Sequence, residues 1–311
     1  SSRRRPTRCP AVSCARRRVQ ETGICEQATI CRFERGTQTP SHNRIKALLQ
    51  RLGLPEDRYF ALLSQNEEQL NTLQNNIRVC EIHFQLAKEK ERHKIRAQIW
   101  KKLSELESIM DSDDQITRQY ILRTKAAVDR LDVPYSPTER LGMLMDAIRL
   151  TVPRFELEEI NRFRFSKDEL IIINQIAQLY LEIEQNRKAI DIYRQLFKYV
   201  EKNNQELPKY VESFCLISSD YAIALGTEKR YEEAIEIAEQ GWHACIEYGH
   251  YLFLPTLLTT LAECHYFNGN KEKSAELYCQ AYYLFKSTND ETHLSILKKE
   301  TKEYLNLEFP Y

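Results

Sequence analysis

Across 311 residues, 42% apolar and 29% charged side chains are the proportions of a folded chain, not a disordered one. With only 8 Gly and 10 Pro, turn-rich β architectures are disfavoured and long helices expected. No apolar run approaches the roughly 20 residues that span a bilayer. The Arg-rich start lacks the following apolar stretch of a secretory signal, so no membrane contact and a cytoplasmic location are expected.

The formal net charge of +0 conceals an asymmetry. Residues 1–60 carry 13 Lys and Arg against 5 acids, and residues 61–311 carry 32 against 40. A basic head on an acidic body suits a nucleic-acid contact at one end only. Nine cysteines, an odd number scattered along the chain, read as reduced thiols packed as small apolar residues. Cys9, Cys14, Cys25 and Cys31 cluster without the paired spacing of a zinc site, so no metal and no other cofactor is expected.

In chain order, residues 26–35 predict a helix with Ile30 and Phe33 on one inward face. Gly36 closes it, Pro40 permits a new start, and Ile45, Leu48, Leu49 and Leu52 form the apolar stripe of the next helix up to Gly53. Pro55 begins a short one with Tyr59, Phe60 and Leu63. The run T-I-C-R-F-E-R-G-T-Q-T-P-S resembles the recognition-helix signature of lambda-repressor-like (XRE) helix-turn-helix domains. That resemblance implies that Gln27 and Ala28 face base edges and that Arg32 reaches a further base or a phosphate. It implies phosphate contacts from Thr37, Gln38 and Thr39 with His42, Asn43 and Arg44. A complete domain of this kind has two amphipathic helices before Glu26. Residues 1–22 instead hold Pro6 and Pro10, with only Val12, Ala15 and Val19 to form an apolar side. The expectation is an incomplete helix-turn-helix whose first 22 residues are disordered or not the native start.

From about residue 65 the pattern becomes amphipathic helices with short connections. Residues 67–110 predict two helices with Leu73, Ile77, Phe84, Ile99, Leu103 and Leu106 in the core. Residues 115–151 predict another pair, broken at Pro134 to Pro137. Ser136-Pro137-Thr138-Glu139 and Ser166-Lys167-Asp168-Glu169 are capping boxes that open helices. Ala177, Tyr180, Ala189, Tyr193 and Leu196 then follow the tetratricopeptide spacing of small and aromatic residues. Ala222, Leu225, Ala234, Ala238 and Gly241 repeat it, as do Ala262, His265, Ser274, Tyr278 and Ala281, with Gly269-Asn270 as a turn. The tail from His293 to Leu307 caps the stack. The predicted fold is all-α: a helix-turn-helix segment over residues 1–64, then a right-handed tetratricopeptide-like α-superhelix over residues 65–311.

No residues converge on catalysis, and no phosphate loop, H-E-x-x-H or G-x-S-x-G is present, so the chain does not read as an enzyme. The head and body together resemble the Rgg/PlcR-type (RRNPP) peptide-responsive transcription regulators. That resemblance implies a homodimer that binds double-stranded DNA and takes a short signalling peptide, or a protein partner, in its concave groove. By position, Asn174, Gln178, Ser219, Thr259, Glu263 and Phe267 would line that groove. The competing reading is a tetratricopeptide-type protein–protein interaction module without DNA binding.

Overall fold

The computed structural model describes residues 24–25, 27–35, 37–38, 41–52, 65–87, 89–130, 132–202 and 207–309. The expectations for residues 1–22, for Gly36 and Pro40, and for 53–64 lie outside them.

In three successive repeats the chain reverses in the same way. Ala177, Ala222 and Ala262 are fully buried, as are Ala189, Ala234 and Ser274 on the helices that return. Side chains this small let the two helices of a hairpin approach closely. At the reversals, the backbone N–H groups of Gln185, Arg230 and Asn270 donate to the carbonyls of Tyr180, Leu225 and His265 at 2.8, 2.9 and 2.8 Å. Glu184, Lys229 and Gly269 take φ of +59°, +59° and +88° there. This closes the orphan carbonyls of a helix end. Only the third repeat places there the glycine that the left-handed conformation favours.

The described residues form α1 (Gln27–Glu34), α2 (His42–Leu52), α3 (Gln65–Leu86), α4 (Glu89–Ile109), α5 (Gln115–Val128) and α6 (Pro137–Thr151). After a 3-10 turn (Leu157–Arg162) come α7 (Lys167–Glu182), α8 (Asn186–Lys202), α9 (Leu207–Thr227), α10 (Tyr231–Tyr248), α11 (Leu254–Phe267), α12 (Lys271–Ser287) and α13 (Glu291–Leu305). Both expected capping boxes are made: Ser136 with Glu139 opens α6, and Ser166 with Glu169 opens α7.

Helices pack in order as antiparallel pairs, α3 with α4 through α11 with α12, and α13 closes the stack on α12. The first helices of successive hairpins also touch: α5 meets α7, α7 meets α9, and α9 meets α11. They therefore form one continuous inner surface. The core is continuous from α5 to α13, with Tyr193, Tyr278 and Tyr282 fully buried at its aromatic positions. A smaller core joins α3, α4 and α5 through Leu73, Ile77, Ile99, Leu103 and Leu106. Phe84, expected among them, is half-buried. Burial of each such side chain is worth about 1.5–3 kcal/mol.

The head is α1 and α2 with the residues just before them. Ile24 and Cys25 are buried against Phe33, Leu48 and also Ile116 of α5, so the head packs on the body. Among the described residues, no helix is long and apolar enough to cross a membrane.

Candidate functional site

The first helices of the hairpins place polar side chains on the inner surface, and there the chain forms an open cavity of about 720 Å³. This is within the ~300–1,000 Å³ of ordinary ligand sites. Its wall is shared: α2 of the head contributes Lys46, Gln50 and Arg51, and the body contributes α3, α5, α7 and α9.

Three ion pairs fix this wall. Arg51 of α2 is buried and bonded to Glu169 at the start of α7. Glu169 also accepts from Thr151 Oγ1, while its Oε2 accepts from the Ser166 backbone N–H at 2.7 Å. Gln119 extends the network, donating to Thr151 Oγ1 at 2.6 Å and to the Ala147 carbonyl at 2.9 Å. Arg123 of α5 donates to both oxygens of Glu81 at 3.1 Å and lies 5.1 Å over the Tyr120 ring. Burial works against the Arg123 charge, and Glu81, Tyr120 and Asp168 together more than offset it. Arg78 and Asp168 make an exposed pair at 3.4 Å.

On α7, Asn174 is almost wholly buried and Gln178 is exposed, and both line the cavity. Asn174 Nδ2 and Gln178 Nε2 donate to the same oxygen, Asp220 Oδ2, at 2.6 and 2.8 Å. Burial pushes the Asp220 carboxyl up to about 6, against the opposite pull of the two amide donors. Asn174 Oδ1 and Gln175 Oε1 are buried without a hydrogen-bond partner.

The other expected peptide contacts lie elsewhere. Ser219 is buried and does not line the cavity. Thr259, Glu263 and Phe267 lie further along, on α11. Thr259 donates to the Pro255 carbonyl of its own helix at 3.0 Å. Burial raises the Glu263 carboxyl. Phe267 stacks on Tyr231 at 5.3 Å and meets Tyr304 edge-on at 5.4 Å.

In the head, Ala28, Arg32 and Thr37 are exposed on and just after α1. Gln27 opens that helix, and Gln38 is half-buried. Asn43 and Arg44 turn inward instead of toward phosphate. Asn43 lines the cavity, and Arg44 is buried with Asp113 of the α4–α5 loop at 3.1 Å. The reason is charge: burial opposes the Arg44 cation, but the Asp113 bond and the charges of Asp113 and Asp114 hold it firmly protonated.

Sequence reasoning missed most of the α3 and α5 wall. Its signal was present in Asn71, Gln74, Asn75 and Arg78, polar residues at helical spacing on one face of α3. Among the described residues, no cluster of three or more His, Cys, Asp or Glu is arranged to hold a metal.

Stacked antiparallel hairpins with one continuous inner surface define a tetratricopeptide-like α-superhelix carrying a short helical head. Residues 80–306, most of the chain, match the RNPP family C-terminal domain, and the protein belongs to that family. PlcR of Bacillus thuringiensis, solved in complex with the peptide PapR7 and DNA, is similar in fold, with a TM-score of 0.59 and 18% identity over 91% of this chain and 93% of that one. ComR of S. thermophilus, solved with DNA and its signalling peptide ComS, gives a TM-score of 0.41 and 13% identity over 92% of each chain. No curated protein sequence matches the chain.

Proposed function

We propose that the protein is a DNA-binding transcription regulator whose cavity takes a short extended peptide. The observation that carries this reading is the shared wall: Lys46, Gln50 and Arg51 of the head face the same 720 Å³ space as Asn174 and Gln178 of the repeats. A ligand there touches both parts and so can prefer one arrangement of head on body, the condition for shifting an equilibrium. Membership of the RNPP family, and a similar fold in PlcR with its peptide and DNA, support the same combination.

In this reading Gln27, Ala28 and Arg32 of α1 meet the bases, with Thr37 and Gln38 at the backbone. Asn43 and Arg44 belong to the head–body contact instead. The chain acts as a cytoplasmic homodimer, since paired heads suit paired half-sites.

The test is a gel shift of the full chain on the promoter region beside its own gene, over a range of salt. A specific shift that weakens with salt is expected, and Arg32→Ala should weaken it by about 1–3 kcal/mol. No specific shift, with the body still folded, would favour the interaction module without DNA binding.

A further inference from the structure

Asp220 sits on α9, one first-helix further along the stack than the two amides it contacts on α7. An ionised carboxylate offers only acceptors, so each amide must turn its NH2 group toward it. Both do, on one oxygen, at 2.6 and 2.8 Å. The remaining polar atom of each amide is its carbonyl oxygen. At Asn174 that oxygen is buried, lacks a partner and belongs to a residue of the cavity wall. Gln175, the next residue on the same helix and also in that wall, has a second unpartnered buried oxygen. An acceptor left buried and unpaired is unfavourable, and a donor from a ligand would relieve it.

We infer that Asp220 is a positioning residue that turns the Asn174 and Gln178 amides oxygen-first into the cavity, so that this stretch of wall selects ligands presenting N–H donors. The inference rests on the peptide reading above and narrows it. The matching ligand feature is the backbone N–H of an extended segment, whereas a run of carbonyls or a carboxylate is repelled there. Neither Asn174 nor Gln178 could be assigned this polarity alone, because an unconstrained amide can turn either way.

The experiment uses the full chain and a random seven-residue peptide library. Peptides retained by the native protein are resynthesised with each backbone nitrogen methylated in turn, which deletes one donor at a time. One or two methylations are expected to lower affinity at least tenfold in the native chain. D220N supplies a donor as well as an acceptor, so one of the two amides can reverse. It should weaken the unmodified peptide about tenfold and abolish the penalty of one of those methylations. A native chain indifferent to every methylation overturns the inference without any variant, as does D220N with unchanged affinity and an unchanged methylation profile. A library from which the native chain retains nothing overturns the peptide reading itself, and this inference with it.

Discussion

Arg51 on the second helix of the head and Glu169 on the first turn of α7 form a buried ion pair across 118 positions of sequence. With Arg44–Asp113 the pair joins head to body, and Glu169 is only 1% exposed. Removing one partner of such a pair leaves a buried charge unmatched, at a cost of about 3–5 kcal/mol, whereas removing both is often close to neutral. Arg51→Met should therefore destabilise the chain by about 3 kcal/mol in urea unfolding, and Arg51→Met with Glu169→Gln should recover most of it. A double-mutant cycle without coupling would mean that the head is not held on the body by this contact.

The same residue marks how far the sequence could be read. Ser166 and Glu169 are legible as a capping box because the signal is local, and the box is present. The partner of Glu169 was not legible, since no periodicity links residue 51 to residue 169. The repeat register of Ala177, Ala222 and Ala262 was legible because close helix contact demands small residues at fixed spacing, and all three are fully buried. Asn174 and Gln178, placed by that register, line the cavity, whereas Ser219, placed by the same rule, is not part of its wall. Arg44 was assigned to phosphate by position alone, and only the fold brings Asp113 to it.

Gly241 occupies the last small position of its repeat, and an added Cβ would lie 2.6 Å from Ser218 Cβ and 3.1 Å from Leu257 Cδ2. Gly142, within α6, has open space where its Cβ would be. Gly241→Ala should cost about 1–3 kcal/mol through overpacking. Gly142→Ala should instead stabilise by about 0.5–1 kcal/mol, the helical preference of alanine over glycine. Thermal unfolding of the two variants side by side checks this. A Gly241→Ala variant as stable as the parent would show that α9 and α10 do not pack this closely.

At the hairpin reversals, Glu184 and Lys229 hold the left-handed conformation that Gly269 holds in the third repeat. For a residue with a Cβ this conformation costs about 1–2 kcal/mol, and glycine recovers part of it at some expense in unfolded-state entropy. Lys229→Gly and Glu184→Gly are each expected to raise stability by about 0.5–1 kcal/mol. Gly269→Ala should lower it by a similar amount. Denaturant midpoints read the signs, and a stabilising Gly269→Ala would contradict the shared turn.

The far end of the stack carries a pH dependence of its own. Glu300 of α13 is half-buried, and burial, reinforced by the charges of Glu263 and Glu303, pushes its carboxyl up to about 7 from an ordinary 4.5. The phenols of Tyr278 and Tyr304 face the same acids. Above pH 4.5 the unfolded chain has lost this proton while the folded chain keeps it, so the native state binds more protons. Its stability must then fall as pH rises toward 7. Asp220, raised from 3.8 to about 6, acts in the same direction over the lower part of that window. The depressed carboxyls of Glu139, Glu233 and Glu308 are solvent-facing and act below pH 4.5, with the opposite sign. The expected outcome is a Tm that declines from pH 5 to pH 8 in the native chain. Glu300→Gln should flatten the part above pH 6 and stabilise the protein at pH 8 by about 1–2 kcal/mol, after allowance for partial solvent screening. Should Glu300→Gln keep the full decline above pH 6, the raised carboxyl must be sought elsewhere in the chain.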